Sequence, residues 1–283
     1  MTSSVQGVQP VNNTEPAQHY DRIHEAWELL MGAEFHYGFF ADASTPLAAA
    51  TAALTEEMIR RAGFQAGERV LDVGCGTGRQ ACDLAERFEV ELVGITTSET
   101  GVAAGRELAA RRHRFDVDFE QRDGTDNGFP DASFDVVWVL ESSHLMRDRR
   151  ALLSECARVL RPGGRLVLCD IIRRREIPFL EVRERRREFG VLRAAFGDAH
   201  MEPLTDYAAS LTDLGMTVTD ATDISAETLG TFAAWRENAR IHRDEVIALI
   251  GVDSLEEFVE ATEILERFWN DRTLGYGIIA ATR

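Results

Sequence analysis

The spacing of apolar residues changes period near residue 68. Before that point the pattern is helical: residues 17–62 read as helix, interrupted by the aromatic-rich FHYGFF stretch (Phe35 to Phe40), and Thr45-Pro46 restarts a helix over Ala48 to Arg61. After it come short, continuous apolar runs, first Arg69-Val70-Leu71-Asp72-Val73, then Glu91–Ile95, Phe134–Leu140 and Arg165–Cys169. Runs of this length suit strands covered on both faces, as in a parallel sheet. Helical segments at 78–88, 98–113 and 148–160 separate them, and the alternation predicts an α/β, doubly wound sheet. Pro162-Gly163-Gly164 reads as a turn between a helix and the next strand. Residues 173–247 read as mostly helical with a strand at Met216–Ile224, and the closing LGYGIIAATR reads as another strand. EVRERRREF (Glu181 to Phe189) and much of 227–271 exceed what a minimal sheet fold needs, and are expected to cap the carboxyl edge of the sheet.

Composition bounds the picture. At 283 residues, 45% of them hydrophobic, the chain can form one large domain with an insertion, or a core with a small cap. A net charge of −17 repels a phosphate backbone, which argues against nucleic acid as partner. All 31 basic residues are Arg, the usage expected of a GC-rich bacterial genome. Cys75, Cys82, Cys156 and Cys169 form no CxxC pair and sit in or beside apolar runs, as free thiols of a reducing compartment do. Residues 1–16, with Pro10 and Pro16, read as a disordered tail and lack the features of a signal peptide. No stretch approaches the roughly 18 apolar residues of a membrane span, so a cytoplasmic protein with no membrane partner is expected.

The first strand leads into VLDVGCGTGRQ, with Gly74, Gly76 and Gly78 spaced GxGxG. Glycines here let backbone N–H groups approach a ligand at a helix N-terminus. A dinucleotide fingerprint needs GxGxxG, so the spacing disfavours NAD. Asp72, just before the loop, would repel a pyrophosphate but could accept from a cationic amino acid.

VLDVGCGTG, RDGTDNGFPDASFDVVW and RVLRPGGRLVLCD, in this order across residues 65–170, resemble the motifs of class I S-adenosylmethionine (SAM)-dependent methyltransferases. The resemblance implies a Rossmann-like, doubly wound, mostly parallel seven-stranded sheet with an N-terminal helical lid and a helical cap insertion. It divides the chain into a tail (1–16), the lid (17–62), the SAM-binding core (63–172), and a cap with C-terminal strands completing the sheet (173–283). It implies SAM as cofactor, with Asp72, Gly74, Cys75 and Gly76 at its amino-acid end, Asp123 accepting from the adenine amine and Gly124 beside the ring. Most of the class carries an acidic residue after the second strand for the ribose hydroxyls. Here GITTSE supplies Thr96 and Thr97, with Glu99 as a substitute. GITTS is similar to the GITLS of the tocopherol-, sarcosine- and sugar-methylating branch. LMGAEFHYGFF and ESSHLMRDR resemble that branch's WGxHxHxGYW and ESxxHMxDR through Gly32, His36, Gly38, Glu141, Ser142, His144 and Met146. The branch folds its N-terminal segment over SAM, which makes Tyr20, Phe35, His36 and Tyr37 candidates to cover the cofactor. Core packing is the competing role for Phe35, Phe39 and Phe40.

Methyl transfer from SAM needs alignment, exclusion of water and, for a protonated nucleophile, a base. His144 and Asp170 follow the fourth and fifth strands, at the carboxyl edge where this fold binds ligands. His144 is the expected base, with Asp170 or Glu141 as its orienting partner. No His, Cys or carboxylate spacing suggests a metal site. Arg173 to Arg187 interleave with glutamates as on a solvated, paired helix, the alternative being an anion site for a diphosphate-bearing prenyl substrate. The expected function is methylation of a small-molecule acceptor in specialised metabolism, on oxygen or on carbon, an electron-rich indole-like or prenyl acceptor being the specific carbon case. The alternatives are a SAM-binding protein that reorganises a substrate without methyl transfer, and a nicotinamide oxidoreductase, which the loop spacing disfavours. A homodimer is a common assembly for enzymes of this size.

Overall fold

Side-chain alternation splits every central strand into two buried faces, and the helices that cover them follow from that split. A computed structural model describes residues 25–283. In chain order the elements are α1 (25–31), α2 (Leu47–Ala62), β1 (Arg69–Val73), α3 (Arg79–Phe88), β2 (Glu91–Thr96), α4 (Glu99–Arg111), β3 (Val117–Gln121), β4 (Phe134–Leu140), α5 (Arg149–Val159) and β5 (Leu160–Arg173). Then come α6 (Phe179–Glu184), α7 (Arg186–Phe196), α8 (Leu204–Asp213), β6 (Thr217–Asp223), α9 (Ser225–Thr228), α10 (Gly230–Ile241), α11 (Arg243–Ile250), α12 (Val252–Asn270) and β7 (Leu274–Thr282). The sheet order is β3-β2-β1-β4-β5-β7-β6. Only β7 runs antiparallel, to both β5 and β6. This is the doubly wound, mostly parallel, seven-stranded sheet expected from the sequence.

Val70, Val136, Trp138 and Val167 face one layer with Leu54 and Met58 of α2 and Phe268 of α12. Leu71, Val137, Val139 and Leu168 face the other with Leu152 of α5 and Tyr207 and Leu211 of α8. Helix α2, grouped with the lid in the sequence reading, packs on β5 and β7 and so belongs to the sheet. The segment 25–46 before it reaches the cap instead: Trp27 meets Phe196 and Phe258 edge-on at 5.7 and 5.8 Å. Helices α6 and α7 follow β5, and α9 to α12 fill the β6–β7 connection. Among the described residues no helix is long and apolar enough to cross a membrane.

Two local readings change. Strand β3 was not among the apolar runs, because as an edge strand it buries only Val117 and Phe119 on its inner face. Pro162-Gly163-Gly164 lies within the first residues of β5, where the pairing to β4 shifts register, instead of preceding it. All four cysteines are free thiols, Cys82, Cys156 and Cys169 buried and Cys75 half-buried.

Phe119 is the anchor of that edge. A Cβ on Gly78, Gly94 or Gly105 would lie 2.4, 2.7 or 2.9 Å from its ring, so three glycines form its socket directly beneath the glycine loop. Gly94→Ala is expected to destabilise the protein by about 1–3 kcal/mol through overpacking, read as a lower denaturant midpoint at unchanged slope. Adding Phe119→Leu should recover part of that loss, since the two sites share one contact.

Candidate active site

The carboxyl ends of β1, β2, β3 and β4 open on a cleft of about 740 Å³. Asp72, Gly74, Cys75, Gly76, Thr96, Thr97, Asp123 and Gly124 all line it, so the folding brings together every core residue proposed for the cofactor. Gly74 (φ 85°) packs so closely on Ser142 that a Cβ would lie 2.1 Å from that side chain, whereas Gly76 (φ 56°) faces open space. The Gly74 and Cys75 N–H groups donate to the Ile95 carbonyl, at 2.8 and 3.1 Å. Close approach by a ligand is therefore left to the next residues of the loop. Asp72 is 4% exposed and has no ion-pair partner among the described residues. Burial pushes its carboxyl up to about 7. A ligand ammonium would supply the missing countercharge.

Asp123 holds Thr125 through Oδ1, accepting from its N–H at 2.8 Å and its hydroxyl at 2.7 Å. Its second oxygen is the one left for an adenine amine. Gly124 has no room for a side chain, since a Cβ would stand 2.7 Å from Val73. On the ribose side the Thr96 hydroxyl accepts from the Ser98 N–H at 3.2 Å and the Thr97 carbonyl from Gln121 at 2.9 Å. Glu99 sits in the first turn of α4 and is not part of the cleft wall. A buried carboxylate lacking a cation, an open glycine and an acceptor-bearing aspartate fit the amino-acid and adenine ends of SAM.

A second cavity, of about 500 Å³, adjoins the first and is walled mainly by Trp27, Met31, Phe189, Leu192, Phe196 and Trp235. Phe35 and Glu141 border both cavities, and His144 borders the second. The imidazole Nδ1 lies 2.6 Å from Asp170 Oδ1, and the His144 N–H donates to Oδ2 at 2.9 Å. Burial alone would lower the His144 pKa, but the Asp170 charge and hydrogen bond outweigh it and the net shift is upward. Burial likewise works against the Asp170 anion, yet the His144 contact and hydrogen bonds hold its carboxyl below the usual range. With Asp170 ionised, Nδ1 carries the proton and Nε2 is the basic nitrogen.

Asp170, and not Glu141, is therefore the orienting partner of His144. Glu141 accepts instead from the Tyr37 N–H at 2.7 Å and from the Tyr276 hydroxyl. Burial pushes its carboxyl up to about 8. Its φ of 46° is a left-handed conformation that costs a non-glycine residue about 1–3 kcal/mol, stored where the cavities meet. His36 borders the cofactor cleft, but its nitrogens are spent on the protein: Nδ1 donates to the Tyr37 carbonyl at 2.8 Å and Nε2 lies 3.2 Å from Gln80 Nε2. Burial drives its pKa down to about 4, so Nε2 is the acceptor of that pair. Tyr37 stacks on Trp269 at 5.4 Å within an aromatic cluster, in place of covering the cleft with its ring. Tyr20 lies outside the described residues. Tyr276 and Tyr207, which reach the site from remote segments, carry no local signal in the sequence.

Five of the seven arginines in this stretch are paired: Arg173 with Glu176, Arg174 with Asp223, Arg175 and Arg185 with Glu181, and Arg187 with Glu260. Arg183 and Arg186 are exposed on the surface, and neither lines the cofactor cleft or the second cavity.

Comparison with known proteins identifies the family. A model of the methyltransferase domain matches residues 71–168. The 27-O-demethylrifamycin SV methyltransferase of Amycolatopsis mediterranei is 34% identical, over 93% of this chain and 95% of that one. Mycolic acid cyclopropane synthase CmaA1, solved with S-adenosylhomocysteine (SAH), superposes with a TM-score of 0.82 over 96% of this chain and 99% of that one, at 18% identity, a likeness of fold. The [4+2]-cyclase SpnF superposes with a TM-score of 0.77 over 94% of each chain, at 25% identity. The chain belongs to the SAM-dependent methyltransferases, with their Rossmann-like fold. It is an enzyme that uses SAM, in a family whose relatives include small-molecule O-methyltransferases.

The state of Asp72 can be checked directly. Its folded pKa of about 7 lies above the ordinary 3.8, so the cofactor-free fold binds the extra proton. The resulting stability is full below 3.8 and lost as pH rises towards 7. Asp72→Asn should remove that part of the fall in melting temperature across the window. The same substitution should weaken SAM binding about 10- to 100-fold by calorimetry, because a charge-assisted contact is lost.

Proposed function

We propose that this enzyme methylates a hydroxyl oxygen of a largely apolar small molecule of specialised metabolism, with His144 as general base and Asp170 as its fixed partner. The observation that carries the reading is the position of the buried His144–Asp170 pair in the wall of an aromatic cavity that meets the cofactor cleft at Phe35 and Glu141. SAM, when bound, supplies a methyl group already activated on a sulfonium. His144 Nε2 takes the hydroxyl proton as the oxygen forms its new bond to carbon, and Asp170 stabilises the imidazolium that results. The apolar walls keep water from competing for the methyl group. Trp27, Phe189, Phe196 and Trp235 provide faces for a ring-bearing or polyketide-like acceptor. Carbon methylation of a prenyl diphosphate finds no support in the arginine stretch, where five of seven charges are paired and the other two, Arg183 and Arg186, line neither cavity.

His144→Ala should lower kcat by about 10²- to 10⁴-fold while SAM affinity stays within a few-fold of wild type. Retained activity, or loss of SAM binding together with activity, would contradict the assigned role.

The neutral imidazole is the active form. The rate should therefore rise with pH through a midpoint above the ordinary 6.5. Asp170→Asn removes the charge that lifts His144, so it should move the midpoint down and cut kcat. SAH release in the same assay separates methyl transfer from rearrangement without transfer.

A further inference from the structure

Asp170 is itself held by buried groups to which the proposed reaction gives no task. Its Oδ2 accepts from the Ser143 hydroxyl at 2.5 Å, and its Oδ1 from the Ile171 N–H at 2.7 Å. The Tyr207 hydroxyl lies 3.0 Å from Ser143 Oγ. The Arg149 guanidinium rests over the Tyr207 ring, 5.3 Å from its centroid. Arg149 is only 3% exposed. Its Nη2 donates to the His200 carbonyl at 2.7 Å, while Nε and Nη1 have no hydrogen-bond partner among the described residues. No carboxylate lies within ion-pairing distance of it among the described residues. A buried cation so poorly paired is costly to the fold. A site that retains one has a use for the charge.

That use follows from what His144 must do. Asp170 from β5 and Glu141 from the end of β4 both favour the imidazolium. Tyr207 from α8 reaches the pair through Ser143, and the Glu202 charge also acts on Tyr207. Asp198 and His200 lie on the loop beside the second cavity, 3.7 Å apart. Arg149, from the first turn of α5, is the cation that opposes the two carboxylates. In a low-dielectric interior an Asp–His pair with no opposing charge would hold its proton too tightly for a base that must work near neutrality. Arg149 also fixes geometry. The His200 N–H donates to the His144 carbonyl at 2.7 Å, so one residue of the loop walling the acceptor cavity bridges the base and the arginine.

We propose that Arg149 is a positioning residue for methyl transfer, its buried charge sharing the Asp170 anion with His144, through Tyr207 and Ser143, so that the imidazole is held firmly and still accepts a proton. The inference rests on His144 being the base. Its test needs no acceptor: the imidazole resonances of the full-length, ¹⁵N-labelled chain are followed against pH, with His144 identified by its disappearance in His144→Gln. Arg149→Met should raise the His144 midpoint by about one unit, and Arg149→Lys should keep it within about 0.3 unit of wild type. Ser143→Ala keeps the arginine but strips a hydrogen bond from Asp170, and it should raise the midpoint as well. It serves as the second variant should Arg149→Met not fold. A midpoint that stays put or falls in either folded variant overturns the role of Arg149. A His144→Ala enzyme that still methylates would instead remove the base, and would leave the titration result standing.

Discussion

Burying an ionised carboxylate beneath a histidine is the constraint around which the carboxyl edge of this sheet is organised. Asp170 is fully buried at the end of the apolar stretch of β5, where an unpaired anion would not be tolerated. It remains charged because four donors converge on it: the His144 ring and N–H, the Ser143 hydroxyl and the Ile171 N–H. Those contacts fix the short turn after β4, which in turn places Glu141 between the two cavities and Ser142 beneath the glycine loop. The cofactor side and the acceptor side are thus set by one turn, and a shift in either reaches the other.

The lid depends on the same turn. Glu141 receives the Tyr37 N–H, and Tyr37 is locked among Phe232, Trp235, Trp269 and Tyr276. The segment before α2 is therefore tied to β4, to the cap and to β7 at once, with Phe35 left bordering both cavities. The cap helices supply half of the aromatic wall of the second cavity, Phe189, Phe196 and Trp235, and the segment before α2 supplies Trp27, Phe35 and Tyr37. One cavity is thus built from strand ends and loops, and the other mainly from helices and the segment before α2.

Legibility in the sequence followed locality. The glycine loop, β1, β2, β4 and the helices between them were readable because each is specified by a short run of its own residues. His144 and Asp170 were readable because each follows such a run and Asp72 because it lies within the first one, whereas Asp123 came only from the motif resemblance. Strand β3 was not, since an edge strand with one buried face leaves only Val117 and Phe119 as apolar signal. The choice between Asp170 and Glu141 as partner of His144 could not be made from spacing, because it rests on Tyr37 and Tyr276, remote in sequence, which occupy Glu141. Arg149, Tyr207 and Tyr276 were out of reach for a different reason. Arg149 closes the ESSHLMRDR segment, but its burial comes from α8 and from the 197–203 loop, which contact it only after folding.

The central claim is that oxygen receives the methyl group while His144 takes the proton. The most direct measurement supplies the enzyme with ¹³C-methyl-labelled SAM and a panel of hydroxylated, ring-bearing acceptors, and locates the label in the product by NMR. The account predicts a labelled methoxy group formed in step with SAH, and its loss in His144→Ala. A label on carbon, or an acceptor transformed without SAH appearing, would contradict it.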